Sequence, residues 1–340
     1  MLALKVFLKD AEKAKQLLLE KGILNPSYKP QKTLTEIHFP VTSKDKHILH
    51  EIKPSHYVER KLQKAKENKT YKEHLAKLTK AQKTMLPSSY DVVGNIIIIE
   101  LKKDLIKKEK KIGEALLKSN RGIKTILRKT GQHEGEFRTQ KLKLIAGENK
   151  KETMYKENNI KLKLDVEKVY FSSRLSTERK RICSQIKKGE NILVMFSGCG
   201  PYPIVISKNT DAKKIFAIEK NPIAHNYALE NATINKLKNI ELIKGDVRTV
   251  IPKLKNKFDR ILMPLPKDAE DFLDLALCVS KKGTIIHFYD FEQEKDIKKA
   301  EEKIMKAGKR NKKTCKILTV VKCGQYSPGK FRICVDFILL

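Results

Sequence analysis

The stretch NILVMFSGCGPYP, residues 191–203, decides the fold of this chain. Five apolar residues follow its leading Asn, which predicts a buried strand over 191–196. Gly198 and Gly200 come next. A Gly-x-Gly turn after a first strand lets the backbone approach a nucleoside cofactor at the carboxyl edge of a sheet. Alone, the motif also fits any tight turn between a strand and a helix. The segments that follow are needed to distinguish a cofactor-binding turn from an ordinary one.

Short apolar runs then alternate with helical stretches such as residues 224–237. The expected strands are KIFAIE at 214–219, IELIKGD at 240–246, DRILMP at 259–264 and GTIIHFY at 283–289. This alternation predicts a doubly wound α/β domain with a parallel sheet. The tail differs, because CKILTVVKCG and KFRICVDFILL, joined through residues 326–329, predict an antiparallel hairpin. This Rossmann-like plan with a C-terminal hairpin recurs in S-adenosylmethionine-dependent methyltransferases.

Two carboxylates strengthen the cofactor interpretation. Glu219 ends the second strand about twenty residues after the glycine pair, where a carboxylate can accept hydrogen bonds from both ribose hydroxyls. Asp246 ends the third strand, where an acid can accept from an adenine amino group. Pro201-Tyr202-Pro203 follows Gly200 in place of the last glycine of the dinucleotide fingerprint. A nucleoside-type methyl donor is therefore favoured over a dinucleotide. The alternative, that each acid is only a solvated strand end, would explain Glu219 or Asp246 alone but not both acids at matching positions of neighbouring strands.

The N-terminal region predicts a small α+β module over residues 1–60. Leu4 to Leu8 has the pattern of a strand, the next residues that of a helix, and Thr35 to Val41 alternates like a second strand. An almost wholly polar stretch follows, and residues 61–84 are expected to form a basic linker, as an exposed helix or a hinge.

A second small α+β domain is expected over residues 85–160. It opens with DVVGNIIIIEL at 91–101, a strand-like run of branched apolar residues. Lys102 to Lys118 has the pattern of a basic amphipathic helix. The Rossmann-like domain then occupies residues 161–340.

The charge of the chain points to a polyanionic partner. It carries 73 Lys plus Arg against 40 Asp plus Glu, a formal net charge of +33, and basic residues that neutralise phosphates release counterions. Residues 101–150 hold 15 basic and 6 acidic side chains. They include Arg121 to Arg138, a mixture of Gly, Arg and Lys typical of a loop that follows a phosphate backbone. Nucleic acid is favoured over an anionic membrane surface, because Lys102 to Lys118 lacks the aromatic anchors of membrane-surface helices.

Compartment signals are few. The apolar runs are short, Ile96 to Ile99 being typical, so no segment is expected to span a membrane. Asp10 and Glu12 argue against a transit peptide. The six cysteines lie in the C-terminal half without CxxC spacing, which favours free thiols, no metal site and a cytosolic location.

A series of motifs in order resembles one known family. VYFSSRLSTERKRI at 169–182, MFSGCGP, FAIEKNP, GDV, MPLPK and the final YSPGKFRICVDF are similar to motifs of the archaeal and eukaryotic tRNA (guanine-37-N1)-methyltransferases. SYDVVGNIIII at 89–99 and GEFRTQKLKLIAGENK at 135–150 match the middle domain of that family. The first 60 residues match only in length and style. The resemblance implies a tRNA-binding N-terminal module, an RNA-contacting middle domain and a catalytic domain that uses S-adenosylmethionine. We expect a monomer, because one RNA-gripping chain with its own accessory domains needs no partner subunit.

The resemblance also implies roles for particular residues. Guanine N1 carries a proton at neutral pH, so its methylation needs a base and a donor for the charge that develops on O6. The implied base is Glu178 and the implied O6 donor is Arg138. The plain alternatives are a helix-surface ion pair of Glu178 with Arg174 or Arg181, one turn away on either side, and a phosphate contact for Arg138. Tyr170 and Pro264 are implied to contact the target base. The expected cofactor residues are Arg174, Arg179, Phe196, Gly198, Gly200, Glu219, Asp246 and Val247.

Two positions depart from the family pattern. Val194 stands where an acidic residue is frequent, and Pro264 stands where an Asn commonly contacts the guanine. A proline cannot supply that side-chain amide. The proline version resembles the archaeal subgroup that also methylates C7 of 4-demethylwyosine in wyosine biosynthesis, and a looser pocket for a tricyclic base is consistent with this change.

Two other interpretations remain at the sequence level. The first is a methyltransferase of another RNA nucleoside, although MPLPK lacks the Asn/Asp-Pro-Pro-aromatic pattern of enzymes that act on exocyclic nitrogen. The second is a non-catalytic RNA-binding protein on a methyltransferase fold, which Val194 and Pro264 favour.

Overall fold

The computed structural model describes residues 1–64, 70–76, 78–265, 267–327 and 329–340. Within these ranges the chain forms two compact units, Met1–Glu73 and His74–Leu340. Parts of three expectations lie outside the described residues. These parts are residues 65–69 and 77 of the basic linker, Pro266 of MPLPK, and Pro328 of the C-terminal hairpin turn.

The first unit is a four-stranded antiparallel sheet with helices packed on it. Its strands run in the order β2-β3-β1-β4, and its core joins Leu4 and Val6 of the sheet to Leu18 of the first helix. The strand, helix and strand expected from the sequence are confirmed. The elements are β1 (Leu2–Phe7), α1 (Ala11–Glu20), β2 (Gln31–Lys32), β3 (Glu36–Pro40), α2 (Lys46–Glu51) and β4 (Ser55–Glu59).

The second unit begins with a four-stranded sheet in the order β5-β6-β7-β8. The run at 91–101 forms two strands, because Gly94 takes a φ of +58° and Val93 pairs with Ile96 across a two-residue turn. The segment Arg121 to Arg138 is only partly a loop, because it contains β7. The elements are α3 (Lys80–Thr84), β5 (Asp91–Val93), β6 (Ile96–Ile99), α4 (Glu109–Ser119), β7 (Thr125–Lys129) and β8 (Leu142–Gly147).

A seven-stranded sheet, in the order β13-β12-β11-β14-β15-β17-β16, is the largest sheet of this unit among the described residues. The first five strands are parallel, and β17 pairs antiparallel with both neighbours. The predicted parallel sheet and C-terminal hairpin are thus confirmed. Its elements are α5 (Ser176–Cys183), β11 (Asn191–Val194), α6 (Pro201–Asn209), β12 (Lys214–Glu219), α7 (Pro222–Ile234), β13 (Ile240–Lys244), α8 (Val247–Val250), β14 (Phe258–Met263), α9 (Leu273–Cys278), β15 (Ser280–Gln293), α10 (Lys298–Arg310), β16 (Cys315–Ser327) and β17 (Lys330–Leu339).

Both faces of this sheet are buried. On the first strand, Leu193 packs into one apolar cluster, while Ile192 and Val194 pack into the cluster on the opposite face. This explains why the strands read as nearly continuous apolar runs instead of alternating ones. Val194 is fully buried, so the apolar residue at this position serves the core.

Asn231 of α7 and Asn235, the residue after that helix, bind the edge of a hairpin formed by β9 (Glu152–Glu157) and β10 (Ile160–Asp165). Asn231 Oδ1 accepts from the Lys163 backbone N–H at 2.6 Å, and its Nδ2 donates to the Lys163 carbonyl at 3.0 Å. Asn235, one turn later, makes the same pair of bonds with Lys161. Nδ2 of Asn231 also donates to the Cys199 carbonyl at 3.1 Å, which ties the glycine turn to the hairpin.

All six cysteines are free thiols, as expected. In the part of the chain that the structure describes, no helix has the length and apolar character needed to cross a membrane.

Asn231→Ala should destabilise the second unit by about 3 kcal/mol, because three buried backbone groups lose their partner. Urea denaturation followed by circular dichroism measures this loss. Thr233→Ala, an exposed change on the same helix, is the control and should cost less than about 0.5 kcal/mol. Equal small losses for both variants would contradict the role of Asn231.

Candidate active site

A cleft opens at the carboxyl ends of β11, β12, β13 and β14. Its other wall comes from the turn GEFR, residues 135–138, and from Tyr170. Eight of the twelve residues expected from the sequence line this cleft, namely Arg138, Tyr170, Phe196, Gly198, Glu219, Asp246, Val247 and Pro264.

Glu219 holds the glycine turn in place. Its Oε2 accepts from the Gly198 N–H at 2.6 Å, and its Oε1 accepts from the Asn221 N–H at 2.7 Å. Burial raises the pKa of the Glu219 carboxyl above its ordinary value, although the hydrogen bonds from the backbone oppose this shift. The carboxylate therefore connects the turn after β11 to the start of α7.

The turn itself needs left-handed backbone. Phe196, Gly198 and Gly200 have φ values of +56°, +59° and +87°, and only glycine adopts these without strain. A Cβ at Gly200 would lie 2.8 Å from Ile204 Cδ1. Gly200 thus leaves room for the Ile204 side chain of α6, and it is not among the described residues that line the cleft.

Asp246 begins α8 and is tied to Lys220. Its Oδ1 accepts from the Arg248 N–H at 2.8 Å, and its Oδ2 accepts from Lys220 Nζ at 2.9 Å. The hydrogen bond from Lys220 lowers the pKa of Asp246 below its usual range. Lys220 Nζ also pairs with Glu136, so this lysine fastens the GEFR turn to the strand ends. Sequence reasoning missed Lys220 and Glu136, although both stand inside the motifs FAIEKNP and GEFR.

The residues of this cleft fit S-adenosylmethionine. Among the described residues, a Cβ at Gly198 would meet one heavy atom within 4 Å, the Tyr170 carbonyl oxygen at 3.8 Å, so the space above this glycine is open. Glu219 keeps lone pairs that can accept from ribose hydroxyls. Phe196, packed edge-on against Phe272 with ring centroids 4.8 Å apart, supplies an apolar wall near Val247.

Arg138 enters the same cleft from the opposite wall. It has a φ of +50°, and its carbonyl oxygen lies 2.8 Å from His133 Nδ1. Its guanidinium carbon lies 6.0 Å from the centroid of the Tyr170 ring. Nη1 of Arg138 is buried and has no hydrogen-bond partner among the described residues. A buried donor without a partner is costly and marks a position where a ligand acceptor can bind.

The other four expected site residues are not among the described residues that line the cleft. Gly200 serves the turn. Arg174 Nε pairs with Asp91 Oδ1 at 2.7 Å near the surface. Arg179 is 1% exposed and pairs with Glu157 of β9, its Nη2 lying 2.6 Å from Oε2. Here it joins α5 to the β9–β10 hairpin.

Glu178, the residue implied as the base, is 5% exposed and fully engaged. Both of its oxygens accept from the Arg181 guanidinium at 2.7 Å, and Oε1 also accepts from the Tyr289 hydroxyl at 2.7 Å. Arg181 is one of the two partners that the sequence offered for an ion pair on the helix surface, but the Glu178 side chain is buried here.

Arg181 continues into a buried network beneath the sheet. It donates to Asp336, which also bonds His287 Nδ1 at 2.7 Å. His287 Nε2 accepts from Arg260 Nη1 at 2.8 Å, so both ring nitrogens are used. Burial alone would raise the pKa of Asp336, but the His287 and Arg181 donors outweigh it and hold that pKa well below the usual range. His287, Cys334 and Asp336 have their ligand-type atoms within 4.8 Å of one another, yet the bonds of His287 make this cluster a hydrogen-bond network.

The fold agrees with comparisons to known proteins. Residues 153–318 match the TRM5/TYW2 methyltransferase domain, residues 71–150 the TYW2 N-terminal domain, and residues 3–48 the tRNA methyltransferase 5 N-terminal domain. A Pyrococcus abyssi protein, tRNA (guanine(37)-N(1))-methyltransferase Trm5b, is 36% identical over 99% of this chain and 98% of its own length. The chain belongs to the TRM5/TYW2 methyltransferase family. It is therefore an S-adenosylmethionine-dependent methyltransferase, and the resemblance found in the sequence is confirmed.

Two further members of this family bear on the substrate. The Nanoarchaeum equitans protein tRNA (guanine(37)-N(1))/4-demethylwyosine(37)-methyltransferase Taw22 is 37% identical over 64% of this chain and 88% of its own length. A solved structure of aTrm5 in complex with tRNALeu matches all of this chain and all of its own length, with a TM-score of 0.71 and 33% identity.

Glu219→Gln should weaken binding of S-adenosylmethionine by about tenfold or more, because a charged acceptor is replaced by an amide with one acceptor oxygen. Isothermal titration calorimetry measures the affinity. Because the pKa of Glu219 is raised, its carboxylate takes up a proton at a higher pH than an ordinary glutamate. Affinity of the parent protein should thus fall on acidification, and that of Glu219→Gln should change less.

Glu241→Gln is the matched control for this experiment. Glu241 lies on β13 and pairs with Lys214 at the surface, and the substitution should leave the affinity unchanged. If Glu219→Gln binds the cofactor as tightly as the control does, Glu219 does not hold the ribose.

Proposed function

We propose that this protein transfers a methyl group from S-adenosylmethionine to N1 of guanosine-37 in tRNA. The observation that carries the proposal is a single cleft with two chemically different walls. One wall holds Glu219 and Asp246 beside the glycine turn, and the other presents Arg138, whose buried Nη1 has no hydrogen-bond partner among the described residues. Such a cleft suits a nucleoside-type methyl donor on one wall and a donor for a carbonyl oxygen on the other.

The chemistry at N1 sets what the protein must supply. Bound S-adenosylmethionine provides an electrophilic methyl group on its sulfonium. The chain must hold the base, accept the N1 proton, and stabilise negative charge that develops on O6. The target base must leave the stack of its loop to reach the cleft.

Arg138 is the proposed O6 donor. Its buried Nη1 is already in place, so no reorganisation is needed when a carbonyl oxygen binds. A charged donor stabilises an oxyanion more strongly in a site that excludes water than it does in solvent. Tyr170, whose ring faces this guanidinium, is proposed to pack against the base. Pro264 narrows the opposite side of the cleft without offering a donor.

Glu178 remains the proposed proton acceptor, and the geometry sets a condition on that role. Its carboxylate can reach a substrate only when the fork of Arg181 and the hydroxyl of Tyr289 release an oxygen. Arg174 and Arg179 are retained as proposed cofactor residues under a similar condition, since ion pairs with Asp91 and Glu157 engage them here.

The regions that contact tRNA, the oligomeric state and the cellular location are also part of the proposal. The net charge of +33 suits binding of one folded tRNA, with the small N-terminal unit and the basic surface of α4 as contact regions. We propose a monomer acting in the cytosol, and the domain boundaries near residues 60, 85 and 160 stay with this proposal.

Methylation of guanosine-37 is tested with methyl-labelled S-adenosylmethionine and tRNA transcripts that carry G or A at position 37. We expect label only in the G transcript, recovered as 1-methylguanosine on nucleoside analysis. Label in another nucleoside would favour the alternative RNA methyltransferase. Cofactor and tRNA binding without any transfer would favour the non-catalytic interpretation.

A second activity, on C7 of 4-demethylwyosine, is favoured by Pro264 in the cleft and by the likeness to the N. equitans protein. The same assay with tRNA that carries 4-demethylwyosine tests it. Pro264→Asn should impair this reaction more than methylation of guanosine, and equal effects on both would count against a pocket shaped by the proline.

Arg138→Ala should lower the methylation rate by about a hundredfold or more, the usual cost of removing a donor to a developing oxyanion. Cofactor affinity should stay unchanged, because Arg138 lies on the opposite wall. Single-turnover kinetics measures the rate. Arg121→Ala removes an exposed arginine of the same region and should alter only tRNA affinity. Similar rate losses in both variants would reduce Arg138 to a phosphate contact.

Glu178→Gln distinguishes a base from a structural ion pair. A general base raises the reaction rate by about a hundredfold or more. A loss of methylation rate of that size, with unchanged melting temperature and tRNA affinity, supports the role of Glu178 as the base. A lowered melting temperature with a rate within about tenfold of the parent would assign Glu178 to the Arg181 network instead.

Glu136→Gln is the companion variant, because Glu136 is a carboxylate that lies in the cleft. It should change the rate only a few-fold. A large loss in Glu136→Gln together with a small one in Glu178→Gln would move the proton acceptor to Glu136.

A further inference from the structure

An aromatic cluster on the C-terminal hairpin has no part in the site described so far. Phe291 of β15 and Tyr326 near the end of β16 pack with ring centroids 4.2 Å apart and ring planes inclined by 39°. Arg332 of β17 stands directly opposite Phe291 in the strand register. Its guanidinium carbon lies 5.2 Å from the centroid of the Phe291 ring.

This cluster is connected to the cleft through one hydrogen bond. Nη2 of Arg332 donates to the Tyr170 hydroxyl at 2.7 Å, and Tyr170 lines the cleft beside Arg138. A ligand on the cluster would therefore lie next to a ligand packed against Tyr170.

Two features of the cluster are those of a binding surface. Tyr326 is 58% exposed, so its ring offers a π surface to solvent. Nε of Arg332 is buried and has no hydrogen-bond partner among the described residues. An exposed aromatic face beside a guanidinium with an unused donor is the combination that binds unpaired nucleotides, because the base stacks and the phosphate pairs with the arginine.

We propose that Tyr326, Phe291 and Arg332 hold the unpaired nucleotide next to the methylated one in the same RNA loop. The base of that nucleotide stacks on Tyr326, and Arg332 Nε donates to its phosphate. Arg332 then also positions Tyr170 through the hydroxyl bond. The inference rests on the proposed function and assigns it a positioning site. RNA is preferred to a protein partner because the free donor and the connection to the cleft both suit a nucleotide.

The first experiment uses fluorescence. The chain contains no tryptophan, so Tyr326→Trp provides a single reporter at the cluster. Leu318→Trp, on the same strand and 48% exposed, is the matched control. On addition of an anticodon stem-loop RNA, stacking should quench the reporter at 326 and leave the reporter at 318 nearly unchanged. No quenching at 326 while the RNA is bound, or equal quenching at both positions, would overturn the proposal.

The second experiment separates stacking from the hydroxyl. Tyr326→Ala should raise KM for tRNA by about tenfold, with kcat at saturating tRNA and cofactor affinity nearly unchanged. Tyr326→Phe keeps the ring and should behave like the parent. If Tyr326→Ala also behaves like the parent, no base stacks there.

The third variant addresses the phosphate. Arg332→Gln removes the positive charge of this side chain. The slope of log tRNA affinity against log salt should fall by about one. An unchanged slope would remove the phosphate contact. These outcomes are distinct from failure of the proposed function, because they require a parent protein that methylates guanosine-37. A parent that transfers no methyl group would refute the function itself.

Discussion

The carboxylate of Glu219 is the contact on which the rest of the site depends. It accepts one N–H from the glycine turn and one from the start of α7, so two chain segments share one buried acid. The turn has left-handed backbone at Phe196, Gly198 and Gly200, and such a conformation persists only where surrounding bonds determine it. Asn231 adds a second restraint through the Cys199 carbonyl. The shape of the cleft therefore follows from a few buried polar bonds.

Charge is divided between structural and functional uses. Three arginines, Arg179, Arg181 and Arg260, pair with buried groups, because a buried guanidinium without a partner lowers the stability of the fold. Arg138 and Arg332 differ, because each keeps one buried N–H without a partner among the described residues. Both border Tyr170. These unsatisfied donors lie on either side of Tyr170, where the proposed function puts the substrate.

Much of the fold could be read from local patterns. Branched apolar runs marked the strands of the parallel sheet, and glycines and carboxylates at the strand ends marked the cofactor edge. The prediction was wrong where a single residue outweighed the pattern, as at Gly94, which turns one apolar run into two strands. It was wrong again within Arg121 to Arg138, where β7 forms because its apolar residues pack in the core despite the surrounding charge.

The sequence by itself determined the sheet, the hairpin, the glycine turn and the family, because these depend on periodicity and on motifs close together in the chain. Only the tertiary structure decided which side chains reach the cleft. Glu178 and Arg179 belong to a motif as distinctive as that of Arg138, yet in this structure Arg181 and Glu157 hold them below the surface. Arg181 stands only three residues after Glu178, and the sequence offered that pair. It could not show the buried Arg179–Glu157 pair or the Glu178–Tyr289 hydrogen bond, whose partners lie 22 and 111 residues apart in the chain.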